Sequence, residues 1–81
     1  MNVRVKLFAV ARELAGVNEL SLDVPPGATV AQLQEQVIAL VPALGRIVPL
    51  SLWAVGTEYV DSHTVLAENA DIALIPPVSG G

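Results

Sequence analysis

Only one stretch of this sequence carries the period of a long amphipathic helix. Val30, Leu33, Val37 and Val41 recur at three- and four-residue intervals, and Thr29 with Gln32 has the spacing of a capping box. Pro25-Pro26-Gly27 stops regular structure before it, and Pro42 and Gly45 stop it afterwards. A helix over about Thr29 to Val41 is expected, with one apolar stripe that packs on a sheet.

The other segments read as strands. Val3 to Val10 alternates, with Val3, Val5, Leu7 and Ala9 on one face and Arg4, Lys6, Phe8 and Val10 on the other. Ala11 to Ala15 are good helix formers stopped by Gly16, which predicts a short helical turn. Leu20, Leu22 and Val24 alternate with Glu19, Ser21 and Asp23, the pattern of a strand with one wet face. Leu50 to Val55 is the third strand candidate, followed by a Gly56-Thr57 turn and a short extended piece at Glu58-Tyr59-Val60. Leu66 to Asp71 reads as a turn with Asn69 at positive φ, and Ile72 to Ile75 is apolar on both faces, as a covered central strand would be. This order predicts an α+β fold of the β-grasp type, a mixed sheet of four to five strands packed on one main helix. No pattern repeats, so residues 1–81 are expected to form a single unit with a flexible tail over about 76–81.

Composition narrows the function. An 81-residue chain, 53% hydrophobic, can bury roughly 60% of its unfolded surface. That makes one small core and leaves little room for a deep catalytic pocket, so a binding module or carrier is favoured. Four Lys plus Arg stand against eight Asp plus Glu, and Arg4, Lys6, Arg12 and Arg46 make no basic cluster, which argues against a nucleic-acid partner. Val37 to Leu44 is the longest stretch without a polar residue and is too short to span a membrane. Arg4, Lys6 and Arg12-Glu13 interrupt any signal-peptide pattern, so a cytoplasmic location is expected. The absence of cysteine removes disulfides, thiolate ligands and thioester-forming nucleophiles. With His63 as the single histidine and no ligand spacing among the carboxylates, no metal and no cofactor bound by this chain are expected.

The end of the chain, Pro76-Pro77-Val78-Ser79-Gly80-Gly81, differs in kind from what precedes it. The double proline favours a stiff extended exit, and the last two residues have no side chain beyond a hydrogen. A frayed terminus is one reading. The other is a slim tip with a free carboxylate, suited to a narrow channel on another protein. A carboxylate is a poor electrophile and must be activated before it reacts, for example by coupling to a nucleotide phosphate. No GxxxxGK[ST] or GxGxxG stretch is present, so the nucleotide would be bound by a partner.

The end ALIPPVSGG, the opening LFAVARELAG and the stretch AVGTEYV together resemble the small subunits of molybdopterin synthase, the MoaD-type branch of the ubiquitin-like sulfur carriers. The resemblance covers essentially the whole chain. It implies a ubiquitin-like β-grasp with an extended Gly-Gly tail. It also implies a cycle in which a ubiquitin-activating-type adenylyltransferase uses ATP to adenylate Gly81. A sulfur donor, sulfurtransferase or desulfurase, then converts the adenylate to a thiocarboxylate. The large catalytic subunit, in a heterotetramer, uses that sulfur to form the dithiolene from cyclic pyranopterin monophosphate. By this pattern Gly81 is the reacting group, Gly80, Ser79, Val78 and Pro77 thread the partner's channel, and Phe8 belongs to the partner-binding surface. The chain is then non-catalytic alone. On the strand alternation Phe8 lies opposite Val3, Val5 and Leu7, which allows an exposed aromatic, and a core position is equally open. Gly56 stands where the family often has Asn, and Glu68-Asn69-Ala70 where it has Asp-Gly-Asp.

Asp61-Ser62-His63 has the residue types of a triad but lies within three positions on a loop, so a turn is the simpler reading. Arg12-Glu13 reads as a solvated pair, and Trp53 and Tyr59 as core or core edge. Rival functions are a carrier for thiazole synthesis or tRNA thiolation, a ubiquitin-like modifier joined to lysine, and a plain β-grasp interaction module.

Overall fold

The computed structural model describes residues 1–77. The elements are β1 (Asn2–Leu7), α1 (Ala9–Ala15), β2 (Glu19–Asp23), α2 (Val30–Leu40), β3 (Leu52–Val55), β4 (Glu58–Val60) and β5 (Asp71–Ile75), with two 3-10 turns at Pro42–Leu44 and Val48–Leu50. The five strands form one sheet in the order β2-β1-β5-β3-β4. β5 pairs parallel with β1 and antiparallel with β3, while β1–β2 and β3–β4 are antiparallel. This is the mixed sheet of the expected β-grasp.

The helix forms as its sequence dictates. Thr29 Oγ1 accepts from the Gln32 N–H (3.3 Å) and Gln32 Oε1 accepts from the Thr29 N–H (2.9 Å), closing the capping box. Val30, Leu33 and Val37 are buried along one stripe. They meet Val3, Val5 and Leu7 of β1, Leu20 and Leu22 of β2, Trp53 of β3 and Ile72 and Leu74 of β5 in a single core cluster. Each fully buried aliphatic side chain there contributes about 2 kcal/mol. Leu44 and Val48, both fully buried, plug the end of this core. Each of the two 3-10 turns that carry them has a proline in its first two positions, where no amide donor is needed.

Four expectations are corrected. β1 ends at Leu7 and not at Val10, because Ala9 adopts φ 49°, leaves the extended region and starts α1 two residues earlier than expected. The alternation through Phe8 and Val10 was accidental. β3 begins at Leu52, since the turn around Pro49 holds Leu50. Tyr59 is exposed, because it faces the side of the sheet opposite α2. β5 is central, yet only Ile72 and Leu74 are buried, while Ala73 and Ile75 on its other face are half-buried. The turns hold as expected: Gly16 caps α1 at φ 75°, and Gly56 (φ 61°) and Asn69 (φ 59°) occupy the left-handed region that both residue types tolerate.

Candidate functional site

Because β1 and β5 are parallel neighbours with Leu7 opposite Leu74, both leave the sheet at the same end. Phe8 follows Leu7, and Ile75, Pro76 and Pro77 follow Leu74. Pro76 is buried and Pro77 exposed, so the chain departs from the body of the protein at Pro77. The remaining expected tail residues, Val78, Ser79, Gly80 and Gly81, lie outside the described residues.

Phe8 sits at the N-cap of α1 in extended conformation, 45% exposed. The exposed alternative is therefore the one realised, but from a strand-to-helix junction and not from a strand. With Lys6, Leu7, Arg12, Asn18 and Glu19, Phe8 lines a depression of about 270 Å³. The fold thus brings Lys6 and Arg12 to one rim, although they are six positions apart and no cluster was evident in the sequence. Lys6 lies opposite Glu19 across β1 and β2, so the depression adjoins the outer face of the sheet.

That outer face divides into two halves. On β1 and β5, Arg4 lies opposite Asp71 and donates to Asp71 Oδ1 at 3.3 Å, a solvent-exposed pair worth little to stability. Towards β3 and β4 the face turns apolar: Ala73 lies opposite Ala54, Ile75 opposite Leu52, and Tyr59 opposite Ala54. Leu52 and Tyr59 are 56% and 69% exposed. A contiguous patch of large exposed apolar side chains is one of the features of interaction surfaces. Its edge at Ile75 is continuous with the chain exit at Pro76-Pro77.

The triad-like residues make a turn. Asp61 Oδ1 accepts the His63 N–H at 2.9 Å and the Thr64 hydroxyl at 3.4 Å, which spends the carboxylate on local backbone geometry. Arg12 and Glu13 are exposed, and Trp53 is buried. Among the described residues no group of three or more His, Cys, Asp or Glu could hold a metal ion. No helix there is long and apolar enough to cross a membrane.

The model of the ThiS family matches residues 5–81. The chain belongs to the ThiS family. Within it, the molybdopterin synthase sulfur carrier subunit of Chlamydomonas reinhardtii is 39% identical over 83 residues, covering 100% of both chains. The human protein of the same name is 35% identical over 82 residues, covering 98% of this chain and 93% of the relative. A Pyrococcus furiosus structure assigned to molybdopterin converting factor, subunit 1, superposes on this ThiS-family chain with a TM-score of 0.86 at 30% identity, covering 96% and 99% of the two chains. The crystal structure of small archaeal modifier protein 1 from Haloferax volcanii gives a TM-score of 0.86 at 27% identity over 95% and 98%.

Proposed function

We propose that this chain is a sulfur carrier subunit of molybdopterin synthase acting in the cytoplasm, with Gly81 as its reacting group. The Gly81 carboxylate attacks the α-phosphorus of ATP on an activating adenylyltransferase, forming an acyl-adenylate and releasing diphosphate. The outer sulfur of a persulfide on a sulfurtransferase or desulfurase attacks the acyl carbon; a C–S bond forms, the bond to the phosphate oxygen breaks and AMP leaves. A thiol then attacks the donor's sulfur, forming a disulfide with it and releasing the thiocarboxylate. In the large subunit the sulfur passes to cyclic pyranopterin monophosphate on the way to the dithiolene, and water restores the carboxylate. ATP binds to the activating partner and the pterin to the large subunit, so this chain needs only to present its end.

The observation that carries the reading is the shared exit of β1 and β5, which sets Phe8 and the apolar outer face beside the start of the tail. A partner seated on Leu52, Tyr59, Ile75 and Phe8 would receive Pro77, Val78, Ser79, Gly80 and Gly81 from the edge of its own contact surface. The large subunit is that partner, in a heterotetramer of two small and two large subunits. The test is reconstitution with the large subunit and the pterin precursor. Thiocarboxylated full-length chain should yield one dithiolene for every two chains consumed, because each delivers one sulfur, and the chain lacking Gly81 should yield none. Dithiolene formation by the deleted chain would refute the role of Gly81.

Likeness to a protein named as a small archaeal modifier favours a second reading, in which Gly81 is joined to a lysine amine. Gly-Gly remnants on lysines after proteolysis of a host lysate would support it. Their absence, with thiocarboxylate present, would leave sulfur transfer alone.

A further inference from the structure

Strand β2 is one edge of the sheet, and half of its backbone groups point away from it. Val24 N–H donates to the Met1 carbonyl and Leu7 N–H to the Asn18 carbonyl, both at 2.9 Å. By the alternation of an antiparallel ladder, these bonds make Leu20 and Leu22 the residues of β2 bonded inward to β1. The N–H and C=O groups of Glu19, Ser21 and Asp23 therefore face outward, and among the described residues no backbone group meets them. Beside this edge runs a groove of about 410 Å³ between β2 and the last turns of α2, lined by Ser21, Leu22, Asp23, Gln36, Ala39 and Leu40. Leu40 is 56% exposed.

An extended segment laid along β2 would satisfy those backbone groups, and its side chains would alternate between two environments. One set would point towards α2 and cover Ala39 and Leu40. The other would lie on the outer face, opposite the exposed carboxylates of Glu19 and Asp23. A second copy of this chain is a poor occupant. Two β2 strands paired about Ser21 would set Glu19 of one against Asp23 of the other, and directly opposed like charges destabilise a ladder. We propose that the β2 edge and the adjoining groove dock an extended segment of a partner protein in which apolar residues alternate with Lys or Arg. This site lies across the sheet from the β3–β4 patch and does not rest on the sulfur-carrier reading.

The probe is a synthetic peptide of alternating valine and lysine, titrated into the isotope-labelled full-length chain and followed by NMR. The Ser21 and Asp23 amides should shift and gain protection from hydrogen exchange, with intermolecular contacts to the methyl groups of Leu40. A peptide of the same composition with proline at its centre should bind at least about threefold more weakly, because it cannot complete the ladder. Asp23 faces Asn2 across the ladder, and among the described residues it makes no ion pair that Asp23→Lys would break. The substitution should weaken the valine-lysine peptide by about threefold and strengthen a valine-glutamate peptide by a similar factor. Equal binding of the proline peptide, perturbations confined to Leu52 and Tyr59, or self-association through β2 in place of peptide binding would each overturn the proposal.

Discussion

Truncating Leu52 to alanine tests whether the outer face of β3 is a binding surface. Leu52 is 56% exposed in the free chain. Full burial of a leucine side chain is worth about 2.5 kcal/mol, so a partner covering the exposed portion would gain about 1.4 kcal/mol from it. Alanine keeps a small share of that area. The expected loss is therefore about 1 kcal/mol, or about fivefold in Kd. Because the side chain lies outside the core cluster, the stability of the free chain should change by less than about 0.5 kcal/mol. Calorimetric titration against the large subunit measures the first quantity and urea unfolding the second. Val65→Ala is the matched control: Val65 is 61% exposed but bridges Thr29 at the start of α2, away from the outer face. Unchanged affinity for Leu52→Ala, or an equal loss for Val65→Ala, would refute the assignment of this face to the partner.

The remaining predictions concern the scaffold. Leu33→Ala, at a fully buried position in the middle of the α2 stripe, should cost about 3 kcal/mol in urea unfolding with the m-value unchanged. Thr29→Ala removes one half of the capping box and should cost about 1 kcal/mol, read as a lower midpoint in the same assay. Gly16→Ala, at φ 75° with open space around the added methyl group, should lose about 1 kcal/mol through backbone strain alone. Ala9→Gly removes a positive-φ alanine at the first position of α1 and should leave thermal stability unchanged or raise it by up to about 1 kcal/mol, despite the added chain entropy.

Most of the architecture was legible because it rests on period and punctuation. The α2 boundaries followed from a capping box and a proline, β2 from strict alternation, and the Asn69 turn from the short polar side chain that tolerates positive φ. The errors fell where a local pattern was ambiguous. Phe8-Ala9-Val10 continues a period of two, and only the left-handed backbone at Ala9 shows that the strand has ended. Tyr59 looked like core because an aromatic in a strand usually is, yet its partner across the ladder, Ala54, fixes it on the face that α2 does not cover. The pairing of Lys6 with Arg12 on one rim, and the open edge of β2, depend on strand order. Neither has a signal in a single sequence. The tail carried the family resemblance through its residues, while the placement of its first residues, Pro76 and Pro77, at the same end of the sheet as Phe8 needed the parallel pairing of β1 with β5.

The most direct test of the central claim is intact mass after incubation with ATP, a sulfide source and the host's activating enzyme. Replacement of one terminal oxygen by sulfur should add about 16 Da to the full-length chain and nothing to a chain ending at Gly80. An unchanged mass, under conditions in which the same enzyme charges an established carrier, would contradict sulfur transfer through Gly81.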